Sequence, residues 1–169
     1  TGFVYQNLRH AADPYSGQIL FHRLGTNPEH NPVLFRQFTS DEDAVLATTW
    51  GPTATLSRDG RWLVLGYWTD TRSVDLWVAD FETYLRTGRL ERREVSVGTP
   101  GFGAGTVIDG TLYLRTTKGA PRGRLVAAPV DTPGEAFWRD VVPEREDAVI
   151  ESVDLADGHI VVTWLSRAS

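Results

Sequence analysis

Leu56-Ser57-Arg58-Asp59-Gly60-Arg61-Trp62-Leu63-Val64-Leu65 decides the fold of this chain. An Asp-Gly pair stands between an upstream run, Ala54 to Ser57, and a downstream run, Arg61 to Tyr67, both rich in strand formers. Glycine accepts the positive φ of a tight hairpin and aspartate can bond its own backbone, so the stretch reads as two antiparallel strands. The arrangement recurs at Asp109-Gly110, between Gly105–Ile108 and Thr111–Arg115, and at Asp157-Gly158, between Ile150–Leu155 and His159–Trp164. The period is about fifty residues. Thr1-Gly2-Phe3-Val4-Tyr5 fits a further copy truncated just after its first strand, with a following loop, Ala12 to Gly17, rich in turn residues.

Two more strand-like runs follow each hairpin. The third strands are Ile19–Arg23, Val74–Ala79 and Arg124–Ala128; the fourth are Val33–Phe38, Arg92–Val97 and Trp138–Val142. Phe81 to Arg86 is the one stretch that reads as a helical turn. Four strands per repeat of this length mark propeller blades rather than a helical solenoid. The expectation is therefore an all-β chain, a partial β-propeller of about three four-stranded antiparallel blades with strand pattern 3+4+4+2. It forms one propeller segment, residues 1–169, with blade-like units at about 1–40, 50–98, 102–144 and 148–169. A single twisted sheet cannot bury both of its faces, so neighbouring blades stack. Trp77, on a third strand, is expected between blades, and Gly101-Phe102-Gly103-Ala104-Gly105 suits an inner strand crowded at the central channel.

Composition narrows the function. The 169 residues carry a net charge of −5 with both signs interspersed, which argues against a clustered basic face for nucleic acid. Cysteine is absent, which removes disulfides, thiolate metal sites and a Cys nucleophile. No apolar run of about 18 residues offers a membrane span. The chain opens on Thr1 straight into a strand-like segment with no signal-peptide pattern, as a piece of a longer protein would.

Each constellation that suggests chemistry has a plainer explanation. The glycines at 101, 103 and 105 lack the full G-x-G-x-x-G spacing, and no helix follows to present its N-terminus to a phosphate. His10, His22 and His30, near Glu29, match no zinc spacing. Asp41-Glu42-Asp43 and the group Glu144, Glu146 and Asp147 lack the alternation of a calcium loop. Ser57 sits before a turn and not in a G-x-S-x-G elbow, a motif absent from the chain. Catalytic residues, metal ligands and cofactors are therefore assigned to none of these positions. Among the six tryptophans, Trp68 is the one whose position suits ligand stacking rather than packing between blades.

In this order the segments resemble the propeller domain of the prolyl oligopeptidase (prolyl endopeptidase) family of serine peptidases. The resemblance is carried by Phe21 to Thr26, Leu56 to Leu65 with Asp75 to Phe81, Thr116 to Val126, Trp138 to Glu144, and Val149 to Leu165. Leu24-Gly25-Thr26, Ala120-Pro121 before Leu125, and Trp138 before Val141-Val142-Pro143-Glu144 are its most specific parts. It implies a seven-bladed propeller capping an α/β-hydrolase domain that holds the Ser-Asp-His triad and is absent from this sequence. It also implies a cytoplasmic enzyme, although the compartment stays open. Family members place an Arg just after the second strand of the blade matched here; this chain has Trp68 there and Arg72 in the next turn, so the resemblance makes these two the substrate-facing residues. Where the family commonly has an Asp after the strand matching Val161–Leu165, this chain has Ser166-Arg167.

The function expected is the non-catalytic propeller portion of a peptidase cutting after proline, gating access of short peptides to the hydrolase site. Its partners would be the remaining blades, the hydrolase domain and short proline-containing peptides, with no nucleic acid or membrane. The alternative is a propeller serving purely as a protein-interaction platform. A glycosidase would need inward-facing carboxylates, and Asp70, Asp75 and Asp80 are poorly spaced for that. Taken alone, the 169-residue chain would expose blade faces and is expected to pair into a homodimer.

Overall fold

The computed structural model describes residues 1–156 and 159–166. In chain order its strands are β1 (Gly2–Leu8), β2 (Gly17–Arg23), β3 (Val33–Arg36), β4 (Gly51–Leu56), β5 (Trp62–Trp68), β6 (Val74–Asp80), β7 (Arg92–Ser96), β8 (Gly103–Ile108), β9 (Thr111–Thr116), β10 (Arg124–Pro129), β11 (Arg139–Val142), β12 (Ala148–Ala156) and β13 (His159–Ser166). The helix α1 (Phe81–Thr87) lies between β6 and β7. The strands form four antiparallel sheets in the orders β1-β2-β3, β4-β5-β6-β7, β8-β9-β10-β11 and β12-β13. This is the all-β, 3+4+4+2 arrangement of a partial propeller.

The two Asp-Gly hairpins within the described residues solve their turns differently. At Asp109-Gly110 both residues have positive φ, 47° and 73°, the two-residue turn whose twist suits the flanking strands. At Asp59-Gly60 only Gly60 is left-handed (74°), and the side chains close the loop. Asp59 Oδ1 accepts from Ser57 Oγ (2.5 Å) and from the Arg61 amide (3.0 Å), while Ser57 Oγ accepts from the Trp62 amide (2.8 Å). Asp157-Gly158 and Arg167 lie outside the described residues; the strands on either side of that third pair meet at Ala156 and His159.

Strand β5 shows why the sheets stack. Its run Trp-Leu-Val-Leu-Gly-Tyr is buried throughout, as an uninterrupted apolar strand must be if both faces are covered. Leu63, Leu65 and Tyr67 pack with Ile19, Phe21 and Phe35 of the first sheet. Trp62 and Val64 join Val107, Leu112, Leu114 and Val126 of the third. Trp77 follows the same alternation on β6: it is half-buried, its ring edge-on to Phe35 across the first seam at 5.7 Å.

The helical turn after β6 is α1, where the Asp80 side chain accepts from the Thr83 amide (2.8 Å) and Gly88, at φ 72°, closes the other end. Three short 3-10 helices that the sequence reading did not find also form: Pro28–His30, Leu46–Thr48 and Glu135–Phe137. One turn leaves no periodicity to read. Two of them occupy the place of α1, between the third and fourth strands of their sheets, so β1, β2 and β3 correspond to the second, third and fourth strands of a blade. No helix among the described residues is long and apolar enough to cross a membrane.

Candidate functional site

The two described Asp-Gly turns lie at one end of the sheets; the turns from β5 to β6 and from β9 to β10 lie at the other, with the crossings from one sheet to the next. At the crossing end β4 begins at Gly51, β5 ends at Trp68 and β8 begins at Gly103. Trp68 closes β5, and its ring is only partly covered. It sits between the rings of Trp50 (5.5 Å) and Phe102 (5.7 Å), and the Arg115 guanidinium lies 4.8 Å over Phe102. Trp50 itself is two-thirds exposed, unlike a residue packed between blades.

Residues after Trp68 turn sharply: the Thr69 amide donates to the Ser73 carbonyl (3.0 Å) and the Arg72 amide to Asp70 Oδ1 (2.6 Å). That amide bond, with a hydrogen bond from the Ser73 hydroxyl, holds the Asp70 carboxyl below the usual carboxylate range. The Gly101 amide donates to Ser73 Oγ and its carbonyl accepts from the Val74 amide, fastening the third sheet's leading loop to this turn. Between them opens a cleft of about 770 Å³ lined by Trp68, Asp70, Arg72, Gly101, Phe102 and Thr117. Trp68 and Arg72 thus share one cleft, with an aromatic wall and an exposed cation on its rim.

Trp50 and Phe102 were not among the residues singled out in the sequence. Phe102 is flanked by the glycines that drew attention to that stretch, and Trp50 immediately precedes the left-handed Gly51 that starts an inner strand. An aromatic adjoining a strand-opening glycine at a crossing is the signal that would have found both.

Several polar groups elsewhere serve local structure. His22 Nδ1 lies 3.0 Å from Asn31 Oδ1 and its ring packs on Phe3. Glu42 is bidentate to Arg36 (2.8 Å each), Asp43 accepts from the Val45 and Leu46 amides, Glu144 from the Arg122 amide, and Asp147 pairs with Arg145. Among the described residues no three metal-ligating side chains come together. A wider cleft of about 1140 Å³ beside the first crossing includes Arg9, His10, Arg36, Gln37, Glu42 and Arg92, with Arg36 and Glu42 paired in its wall.

Residues 1–169 match the family model described as the N-terminal β-propeller domain of prolyl oligopeptidase. The chain is 24% identical over 155 residues to the prolyl endopeptidase of Elizabethkingia meningoseptica, covering 89% of this chain and 20% of that protein. It is 25% identical over 119 residues to an uncharacterized peptidase of Sinorhizobium fredii, covering 63% and 15%. Among solved structures, prolyl oligopeptidase B from Galerina marginata, bound to a 35mer hydrolysis and macrocyclization substrate, matches with TM-score 0.79 and 24% identity over 98% of this chain and 22% of that one. Oligopeptidase B from Leishmania major matches with TM-score 0.73 and 17% identity over 98% and 22%. At these identities the structural likeness is one of fold. The chain spans about a fifth or less of the length of the curated relatives it matches.

Proposed function

Because the chain belongs to the prolyl oligopeptidase family, as part of its N-terminal β-propeller domain, we propose that it is the non-catalytic propeller portion of a serine peptidase that cleaves short proline-containing peptides. Its role is to limit which peptides reach the hydrolase site. The observation that carries this reading is the match of residues 1–169 to that propeller domain, in a chain that holds no G-x-S-x-G elbow of its own. The Trp68–Arg72 cleft supports it: aromatic faces accept apolar side chains with little rotamer cost, and an exposed guanidinium offers a charged anchor.

The test uses the full-length protein that contains this segment. Trp68→Ala and Arg72→Ala should each raise KM for proline-containing peptides about tenfold, the loss expected for one apolar or polar subsite contact. Labelling of the nucleophile by a small serine-reactive phosphonate should be unchanged. Wild-type kinetics in both variants would remove the cleft from the substrate path. A full-length protein without a downstream serine nucleophile would leave the interaction-platform reading in its place.

A further inference from the structure

Lys118 follows β9 in the loop of residues 117–123 and is buried to 1% exposure. Its Nζ donates to Ser96 Oγ (2.7 Å) and, at 3.5 Å, to the Ser96 carbonyl. Ser96 belongs to β7 of the second sheet, whereas Lys118 and Glu135, which also hydrogen-bonds Ser96 Oγ, belong to the third. One hydroxyl is therefore gripped from across the seam, by a buried ammonium on one side and an exposed carboxylate on the other. No carboxylate among the described residues lies within ion-pair distance of Nζ; Asp75 on β6 and Glu135 act on it only through space. Arg124 on β10, which pairs with Asp140, donates to the Lys118 carbonyl.

A buried charge without a direct counter-ion is costly, because hydrogen bonds to one serine replace only part of its hydration. Burial lowers the ammonium's pKa below the ordinary lysine value, and the two carboxylates offset this only in part. The strain is placed where it can act. Gly101 (φ 124°) lies against Lys118, with space for a Cβ only 3.0 Å from Lys118 Cγ. The Lys118 amide donates to Thr116 Oγ1, which itself donates to the Phe102 carbonyl. Lys118 thus underlies the loop that fastens the third sheet to the second.

We propose that the seam between the second and third sheets is a charge-strained hinge: it opens locally while Lys118 is an ammonium ion and tightens when Lys118 becomes a neutral amine. The sign follows from linkage. The open seam hydrates Lys118 and binds its proton more readily than the closed one, so raising pH through the lowered closed-state value favours closure, by up to about tenfold per pH unit. Ser96 Oγ–H and the neutral amine remain hydrogen-bonded in the closed form.

Hydrogen exchange of the full-length protein tests this at the segments carrying the Val74 and Gly101 amides, which bridge the seam. In the ratio of wild-type to Lys118→Met rates, the pH dependence of chemical exchange cancels. The ratio should exceed one at pH 7 and fall toward one as pH rises. A ratio below one at pH 7, or one that does not change with pH, overturns the hinge. Glu135→Gln keeps the test available if Lys118→Met does not fold. Removing that carboxylate should speed seam exchange at pH 7 and converge on wild type at high pH; equal rates at pH 7 also overturn the proposal.

Discussion

Glu42 shows how much order one exposed side chain imposes on the first crossing. The Arg36 guanidinium, then the Thr39 amide and hydroxyl, hold its carboxyl down to about 2 from an ordinary 4.5. The contribution of this cluster is present above the ordinary value and lost as pH falls through about 2. A carboxyl-shift titration should therefore place the Glu42 midpoint near 2 at low salt, moving upward in concentrated salt because both partners are half-exposed. A midpoint near 4.5 would mean that the bidentate pair does not persist in solution. Gly60 gives a cleaner backbone test. A Cβ there meets nothing within 4 Å, so Gly60→Ala carries only the left-handed penalty, about 1–2 kcal/mol in denaturant unfolding, and Gly60→Asn should lose less. Equal losses for Ala and Asn would show that something other than φ sets the requirement. This residue was legible beforehand because Asp-Gly between apolar runs has few meanings. Lys118 was not, since a lysine in a loop ordinarily reads as solvated and only the closed seam buries it.

Strands were legible to within a few residues, because period, β-branched content and turn chemistry agreed along most of the chain. The 3-10 turns were missed, being too short to carry a period, and the start of β8 was read for its glycines without a reason for each. The structure supplies the reasons. A Cβ on Gly105 would stand 2.0 Å from the Tyr113 carbonyl of the paired β9, an immovable backbone atom. On Gly103 it would meet Leu76 Cδ1 at 2.6 Å, the tip of a side chain that can rotate away. Gly105→Ala should accordingly cost more than about 3 kcal/mol, beyond ordinary overpacking, and Gly103→Ala about 1 kcal/mol. Denaturant midpoints of the two variants decide between them. Similar midpoints would mean that β8 shifts as a unit and that inner-strand crowding is weaker than these distances require. The candidate cleft stands on the same element: Phe102 enters it because the glycines on either side let β8 start so close to its neighbours.

At the scale of the molecule, stacking covers both faces of the second sheet, and apolar side chains stay exposed on the two terminal sheets. Phe3 and Leu8 on the first sheet are about half exposed, and so are Val149 and Leu165, which are paired in register on the last. Among the described residues β13 is an edge strand with no strand paired beyond it. Exposed apolar faces beside an unpaired edge favour association. For the isolated 169-residue polypeptide the available cover is a second copy, and two copies bring together nearly the strands of a six- or seven-bladed ring. A two-fold arrangement also hides each terminal face without opening a filament, which a head-to-tail contact that fails to close would do. The isolated polypeptide should therefore sediment as a dimer at micromolar concentration. Charged substitutions at the register pair, Val149→Glu with Leu165→Lys, should shift it toward monomer, since they desolvate poorly at an apolar contact and leave the inner seams untouched. A compact, cooperatively unfolding monomer in the unsubstituted chain would show that these sheets tolerate exposure and that stacking on one side suffices for a terminal blade.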